Sequence, residues 1–311
     1  MKFKNKRYNT YSEYIRKKYG ERIQKVTVDA GFTCPNRDGT VAKGGCTYCN
    51  NESFNPGYNS ALKSITQQID EGVKFLKRRY GVQKFIVYFQ PYSNTYASLE
   101  ILKKYYEEAL RYPDVIGLTI GTRPDCIDED KLDYLKTLSE NYDITVEYGL
   151  ESISDDTLKR INRGHDYQSY LNALELTKKR GIKTCTHIIL GFPWEDKNHW
   201  MKTAAELSKL RLHFLKIHQL HIVKDTAMGK QYLRNPFKLL THTEYIDVIT
   251  SFLERLNPKT IIQRLSGEAP LPVLIAPKWG KRYAAIVQDI DREMEKRDTW
   301  QGKLYKISQN K

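Results

Sequence analysis

Residues 34–49 read CPNRDGTVAKGGCTYC, and this stretch places three cysteines within sixteen residues of a chain that has five. Cys34 opens it, and Cys46 and Cys49 close it as a Cys-x-x-Cys pair. Three thiolates are one fewer than a [4Fe-4S] cluster usually receives, so one iron would keep an open coordination position. The same spacing also fits a zinc site completed by another Cys or His, or a flexible loop with unligated thiols.

On both sides of this stretch, apolar runs alternate with amphipathic patterns. Strands are predicted at 25–30, 85–89, 115–121, 144–150, 184–191 and 214–223. Helices are predicted at 61–80, 99–111 and 129–140, followed by helical pieces that end at residue 180 and a helix that ends at residue 210. Strand-then-helix units favour an α/β fold with a parallel sheet and helices outside it. In such folds the site lies at the carboxyl ends of the strands, and the three cysteines follow the first strand at that end.

Two-residue alternation places polar side chains together on one face of the later strands, and one face of each strand lines the barrel. On the fourth strand, Glu147 and Glu151 share a face, and each carboxylate needs a ligand, Arg163 or water if it is buried. A structural ion pair is the alternative. Further candidates for substrate contact, or for ordinary core positions, are Cys185 and His187 on the fifth strand and Lys216 and His218 on the sixth.

Composition indicates a globular chain long enough for a full core. It has 311 residues, of which 40% are hydrophobic, and 22 are tyrosines. No apolar run approaches the roughly 20 residues that span a bilayer, and the basic N-terminus lacks the apolar stretch of a signal peptide. We therefore expect a cytoplasmic protein without a membrane partner. Three segments are predicted: a basic, Tyr-rich segment at 1–24, a barrel at 25–230, and a C-terminal extension at 231–311.

The formal charge of +14 is concentrated at the N-terminus. Residues 1–25 hold nine Lys and Arg against two Glu, with Tyr8, Tyr11, Tyr14 and Tyr19 between them. Basic side chains neutralise phosphates and aromatic rings stack on bases, so this pattern is typical of binding to single-stranded or looped RNA. The alternatives are a solvated surface or a dock for an acidic flavodoxin or ferredoxin that delivers an electron.

At this point the chain resembles the radical SAM superfamily. Cys34, Cys46 and Cys49 with Tyr48 are similar to its extended-spacing cluster motif, in the branch of the Elongator catalytic subunit and oxygen-independent coproporphyrinogen oxidase. GLES at 149–152, INRGHD at 161–166 and HIILGFPWE at 187–195 resemble later motifs of that branch. FQPYSNTY at 89–96 and IIQRLSGEAP at 261–270 suggest a bacterial subfamily of this length, the YtqA/YhcC type.

The resemblance implies an incomplete (β/α)6 TIM-like barrel with a C-terminal extension, a [4Fe-4S] cluster on the three cysteines, and S-adenosylmethionine (SAM) bound beside it. Glu151 would contact the methionine or ribose part of SAM, Arg163 its carboxylate and Ile189 its adenine. The other residues assigned to the cofactor pocket are Tyr48, Gln90 and His187.

Two motifs depart from many relatives. Gln90, Pro91 and Tyr92 stand where a Gly-Gly-x motif would receive the amino group of SAM, and Gly121, Thr122 and Arg123 replace an acidic residue after the third strand. The resemblance therefore assigns no partner to that amino group.

The likeness to the Elongator-type branch, together with the basic N-terminus, predicts an enzyme that acts on tRNA. The concrete hypothesis is hydrogen abstraction from the carbon-5 substituent of the wobble uridine, converting carboxymethylaminomethyl to aminomethyl. One alternative is a radical enzyme for a small molecule such as a porphyrinogen. The other is a non-catalytic RNA-binding protein with zinc on the cysteines.

Overall fold

The computed structural model describes residues 6–50 and 59–305. The outermost parts of the two predicted terminal segments, residues 1–5 and 306–311, lie outside this range. The described residues form one seven-stranded sheet in the order β1-β2-β3-β4-β5-β6-β8, with every neighbouring pair parallel. Its strands are β1 (Gln24–Val28), β2 (Phe85–Phe89), β3 (Val115–Thr122), β4 (Asp143–Glu151), β5 (Lys183–Leu190), β6 (Phe214–Gln219) and β8 (Ile261–Arg264). A separate antiparallel pair joins β7 (Ile222–Val223) to β9 (Leu274–Ala276).

Helices connect successive strands on the outer side of the sheet. The described helices are α1 (Tyr11–Tyr19), α2 (Pro35–Asp38), α3 (Ile65–Tyr80), α4 (Leu99–Leu110), α5 (Glu129–Leu138), α6 (Asp155–Arg160), α7 (Tyr167–Lys179), α8 (Lys197–Lys209), α9 (Ala227–Arg234), α10 (His242–Arg255) and α11 (Tyr283–Lys296). None of the helices within the described residues is long and apolar enough to cross a membrane. This arrangement confirms the predicted incomplete TIM-like barrel of strand-then-helix units.

The two faces of each strand have different chemistry. Val26 and Val28 on β1, like Phe85 and Phe89 on β2, are fully buried in the main apolar cluster, which also includes residues of the outer helices. At about 25 cal/mol per Å² of buried apolar surface, this outer layer is the main source of stability. The alternate residues, beginning with Lys25 on β1, face the inside of the barrel and are largely polar.

Helix α3 starts later than predicted because its capping residue decides the boundary. Ser64 accepts from the backbone N–H of Gln67, and the Gln67 side chain accepts from the backbone N–H of Ser64, which forms a capping box. The helix therefore begins at Ile65 instead of residue 61. It ends at Gly81, which adopts φ of +65°.

The last part of the sheet differs from the prediction of six strands. The stretch 214–223 is not one strand, because β6 stops at Gln219, and Ile222–Val223 pair with the separate strand β9. A seventh strand, β8, lies within the predicted C-terminal extension and pairs with β6. Residues of the predicted extension therefore belong to the barrel sheet and reach the end of the barrel at which the strands have their carboxyl ends.

Helix α1 covers the amino ends of the strands. Thr10, its N-cap, forms a parallel bridge with Ile262 of β8, and the rings of Tyr11 and Tyr14 lie 5.4 and 5.3 Å from that of Phe214, the first residue of β6. Tyr8 is buried in the main core. The structure therefore assigns these tyrosines to packing and does not support the expectation that they stack on bases.

Candidate active site

All nine residues predicted for the metal and cofactor sites line one cavity at the carboxyl ends of the strands. Its volume is about 640 Å³, within the range of small-molecule sites. The nine are Cys34, Cys46, Cys49, Tyr48, Gln90, Glu151, Arg163, His187 and Ile189. The sequence motifs are thus brought together in space, although nothing in the fold alone assigns each residue its role.

The cysteine loop is held in place by the loop after α6. The backbone N–H of Thr47 donates to the carbonyl of Ile161 at 2.9 Å, and the Asn162 side chain donates to the carbonyl of Gly45 at 2.8 Å. Asn36 donates back to the carbonyl of Asn162. Gly164 permits this contact, because a Cβ there would meet Asn36 Oδ1 at 2.1 Å.

Cys46 faces two hydrogen-bond donors. Arg163 Nη1 and Asn36 Nδ2 each lie 3.6 Å from its Sγ. Burial raises the pKa of Cys49 to about 12, with the neighbouring Cys46 adding to the effect. The unligated Cys49 is therefore a thiol at neutral pH, and a metal would bind it by displacing the proton.

The spacing of the three sulfurs bears on the choice between zinc and a cluster. Among the described residues, the only group of three ligand atoms that all lie within 4.8 Å of one another is that of Glu147, Cys185 and His187. At least one pair among the sulfurs of Cys34, Cys46 and Cys49 is therefore more than 4.8 Å apart. A single tetrahedral zinc with bonds of about 2.3 Å would hold its sulfurs about 3.8 Å apart. The loop is thus better suited to a larger polynuclear centre.

Arg163 and Glu151 form the wall next to the cysteines. Arg163 Nη2 lies 3.7 Å from Glu151 Oε1 and donates to the carbonyl of Gly149. Glu151 ends β4 with φ of +73°, a strained value for a residue with a side chain. Burial raises the pKa of Glu151, against the effect of Arg163. The Arg163 Nε is buried without a partner among the described residues, so the guanidinium has a donor to spare.

The two motifs that depart from many relatives are held in this structure by hydrogen bonds to neighbouring segments. Asn94 donates to the carbonyls of Pro91 and Gly121, both at 2.9 Å, and so joins the loop after β2 to the end of β3. Arg123 is 2% exposed and is held by Asp125, while its Nη1 donates to the carbonyl of Arg163. Arg123 thus positions the backbone of Arg163, a role that the sequence did not indicate.

A second polar network fills the deeper part of the barrel around Glu147. Its carboxylate accepts from Lys216 Nζ at 2.8 Å and from Lys25 Nζ at 3.0 Å, and His187 Nε2 lies 2.7 Å from it. Burial alone would raise the pKa of Glu147, but Lys216 and Lys25 hold it well below its ordinary value. Burial lowers the pKa of Lys216 to about 8, in spite of this carboxylate.

This network is a poor cation site despite the closeness of Glu147, Cys185 and His187, because two ammonium groups already occupy the carboxylate. Burial, together with Lys216, lowers the pKa of His187 to about 4, so this ring is neutral at pH 7. The inner faces predicted from alternation therefore meet as expected. Lys25, which lies on β1, was not predicted as a partner.

The cavity wall contributed by β8 was also missed. Arg264, Ser266 and Gly267 line the cavity beside His218, on a segment that the sequence placed outside the barrel. The available signal was the motif at 261–270, which carried no assigned role. The remaining cysteines, Cys126 and Cys185, are buried and are not in disulfides.

Comparison with known proteins identifies the family. The Radical SAM superfamily is matched over residues 34–207, and the Radical_SAM C-terminal domain over residues 212–296. The chain is 36% identical over 300 residues to the uncharacterized protein YtqA of Bacillus subtilis, covering 96% of this chain and 93% of that protein.

More distant matches belong to the Elongator-type branch. A tRNA uridine(34) acetyltransferase of Methanocaldococcus infernus is 26% identical over 186 residues, which cover 58% of this chain but only 34% of that protein. The solved structure of the M. infernus Elp3 with an N-terminal deletion aligns with a TM-score of 0.70 at 18% identity, over 90% of this chain and 64% of that one. This likeness shows a shared fold.

The cavity contains a set of cysteines suited to an iron–sulfur centre and a polar wall suited to a charged cofactor, and the superfamily match spans both. The chain therefore belongs to the radical SAM superfamily, whose enzymes use a [4Fe-4S] cluster and S-adenosylmethionine.

Proposed function

We propose that this radical SAM enzyme modifies tRNA at the carbon-5 substituent of the wobble uridine, converting carboxymethylaminomethyl to aminomethyl. The observation that carries the proposal is the shape of the cavity. It extends from the cysteines, past Glu151 and Arg163, to a cationic interior at Lys216 and Arg264. A substrate that carries a carboxylate fits such an interior.

Within this proposal, Cys34, Cys46 and Cys49 ligate the cluster. The cluster, when bound, supplies the electron that cleaves SAM to methionine and a 5'-deoxyadenosyl radical. The guanidinium of Arg163 suits the carboxylate of SAM, because its Nε is buried and has no partner within residues 6–50 and 59–305.

The remaining cofactor contacts belong to residues of the same wall. Glu151 accepts hydrogen bonds from SAM. Tyr48 and Ile189 pack against SAM, because the side chains of these two residues lie beside the apolar cluster around Phe192. Gln90 completes this side of the cavity. His187 is held by Glu147, and its neutral ring faces the same space.

The tRNA assignment is supported by the Elongator-type relatives, one of which is named for uridine 34 of tRNA. The chain covers about a third of that protein, so acetyl transfer is not part of the proposal. The carboxymethylaminomethyl arm has a methylene between an amine and a carboxylate. Both groups stabilise a carbon radical, which makes that methylene the preferred position for hydrogen abstraction. The resulting carbon radical would return one electron to the oxidised cluster and become an imine. Water would then hydrolyse the C=N bond, leaving the aminomethyl group and releasing the two-carbon arm as glyoxylate.

The reaction needs an external electron, and an acidic flavodoxin or ferredoxin is the donor we propose. The chain carries a formal charge of +14, so it attracts acidic proteins at low ionic strength.

The decisive experiment compares wobble nucleosides by mass spectrometry in cells with the gene, without it, and with Cys49→Ala in its place. We expect carboxymethylaminomethyl uridine to accumulate, and aminomethyl uridine and its products to be lost, in the second and third strains. Unchanged nucleosides in all three strains would refute the tRNA proposal.

The matching experiment in vitro uses anaerobically reconstituted protein with dithionite, SAM and bulk tRNA from the deletion strain. Formation of 5'-deoxyadenosine should increase with tRNA and should be absent for Cys49→Ala. Cleavage of SAM at the same rate with and without tRNA would point to another substrate. Tightly bound zinc without a cluster would contradict the assignment of the cysteines.

A further inference from the structure

The wall of the cavity formed by β6 and β8 belongs to the cationic interior, but no single residue of it has yet been given a contact with the substrate. It consists of Lys216 and His218 on β6, Arg264 at the end of β8, and the following Ser266 and Gly267. We call these five residues the β6–β8 wall. β5 separates it from β4, whose end carries Glu151. On β5, His187 and Ile189 are the register partners of Lys216 and His218, so the wall borders the side proposed for SAM. None of its own five residues is assigned to SAM.

Arg264 is the residue of this wall that is free to bind a ligand. Its side chain is exposed at the cavity, and no ion pair joins it to a carboxylate of the described residues. It is the register partner of Lys216 on the neighbouring strand. A guanidinium presents a planar pair of donors that matches a carboxylate, so an unpaired one on a cavity wall is suited to recognising that group.

The surroundings of Arg264 keep this part of the cavity positive. Lys216 and Lys25 share the carboxylate of Glu147. Glu268 also lines the cavity, where it accepts from the backbone N–H of Tyr283. With Arg264 included, the cations still outnumber these two carboxylates. Burial and the nearby Arg264 lower the pKa of His218, which is therefore neutral and adds no charge. Its Nε2 is buried without a partner among the described residues and offers one further hydrogen bond.

The loop after β8 is held in place by the side chain of Gln219. Gln219 Oε1 accepts from the backbone N–H of Gly267 and from Ser266 Oγ, both at 2.9 Å. A Cβ at Gly267 would lie 3.1 Å from His218 Nδ1, so glycine keeps the space next to this ring open. A loop that is held by these hydrogen bonds loses little conformational freedom when a ligand binds, which favours affinity.

We propose that the β6–β8 wall binds a carboxylate of the substrate, with Arg264 as the residue that recognises it. This inference rests on the function proposed above, and it assigns the carboxylate of the carboxymethylaminomethyl arm to Arg264. An RNA phosphate has similar chemistry, so the test must separate the two anions.

The test measures binding of two anticodon stem-loops to reconstituted protein with SAM. They differ only in the wobble substituent, which is carboxymethylaminomethyl in one and its neutral amide in the other, so their phosphates are identical. We expect wild type to bind the acid about 10- to 100-fold more tightly than the amide, as a charge-assisted pair would give. Arg264→Gln should bring this ratio close to one, and Arg264→Lys should leave an intermediate ratio.

The control is Arg78→Gln, which removes the same charge from an exposed position of α3. It should keep the wild-type ratio. A wild-type ratio near one, or a ratio that Arg264→Gln leaves unchanged, would overturn the inference, and Arg264 would then contact only phosphate or nothing.

The two proposals fail in different ways. If the ratio depends on Arg264 but neither stem-loop is modified, the carboxylate site stands and the proposed reaction is wrong. If the acid is modified while the ratio is unaffected by Arg264→Gln, the reaction stands and the recognition residue lies elsewhere.

Discussion

Glu147 shows how a residue can be placed from the sequence without its partners being known. The alternation along β4 correctly turns this carboxylate inward, where it requires compensation. Its partner Lys25 is 122 residues away, on β1, at the far edge of the same sheet. Their contact depends on how the sheet curls, and that curvature has no signature in a local sequence pattern.

The network predicts that Glu147→Gln is strongly destabilising. The substitution leaves Lys216 and Lys25 buried without their shared carboxylate, and breaking a buried ion pair in this way costs about 3–5 kcal/mol. Urea denaturation at pH 7 measures the loss. Glu140→Gln, at an exposed position after α5, should change the free energy of unfolding by no more than about 0.5 kcal/mol. Equal effects of the two variants would show that the network contributes little.

The same carboxylate makes part of the stability dependent on pH. Lys216 and Lys25 hold the pKa of Glu147 well below its ordinary 4.5 despite burial, so its stabilisation is present above pH 4.5 and is lost as pH falls through the folded-state pKa. The difference in unfolding free energy between wild type and Glu147→Gln should therefore shrink as the pH is lowered below 4.5. Metal-free proteins are compared, since acid destroys clusters. A difference that grows with acidity would mean that Glu147 is not ionised in the folded protein.

At the scale of elements, the sequence predicts well where the pattern is local and poorly where pairing is distant. The strand at 85–89 is found with the predicted bounds, because a polar residue ends its apolar run on each side. β8 is only four residues long and becomes a strand through pairing with β6. Tyr11 and Tyr14 of α1 lie among basic residues in the sequence, and only the fold reveals that both rings pack against Phe214.

This placement of α1 predicts that its tyrosines serve stability and not RNA binding. Tyr11 packs edge-on against Phe214, and its truncation to Ala should cost about 2–4 kcal/mol by opening a cavity under the barrel. Tyr80→Ala, at a ring that is 38% exposed, should cost less than about 1 kcal/mol. Thermal denaturation and tRNA filter binding are measured on the same preparations. Weaker tRNA binding by Tyr11→Ala with unchanged stability would restore the stacking interpretation.

At the scale of the whole molecule, the exposed basic residues of α1 and the cavity are found at different ends. The exposed Arg16 and Lys17 lie on α1, beneath the amino ends of the strands, whereas the cavity opens at the carboxyl ends. Near the opening, the exposed Lys43 and Lys224 adjoin residues that line the cavity. A wobble base that enters the cavity brings its phosphates close to this second pair. Net charge alone, which the sequence provides, could not distinguish the two ends.

The two pairs of cations allow a comparison at equal charge. Removing Lys43 and Lys224 together, each replaced by Gln, should weaken tRNA binding and reduce the slope of log affinity against log salt by about 1.5, as two lost phosphate contacts would. Replacing Arg16 and Lys17 by Gln lowers the net charge by the same amount at the opposite end and should leave the slope nearly unchanged. Filter binding between low and physiological salt gives both slopes. If the α1 variant loses as much slope as the other, tRNA also contacts the amino-terminal end of the barrel, and the RNA surface predicted from the N-terminal sequence is correct after all.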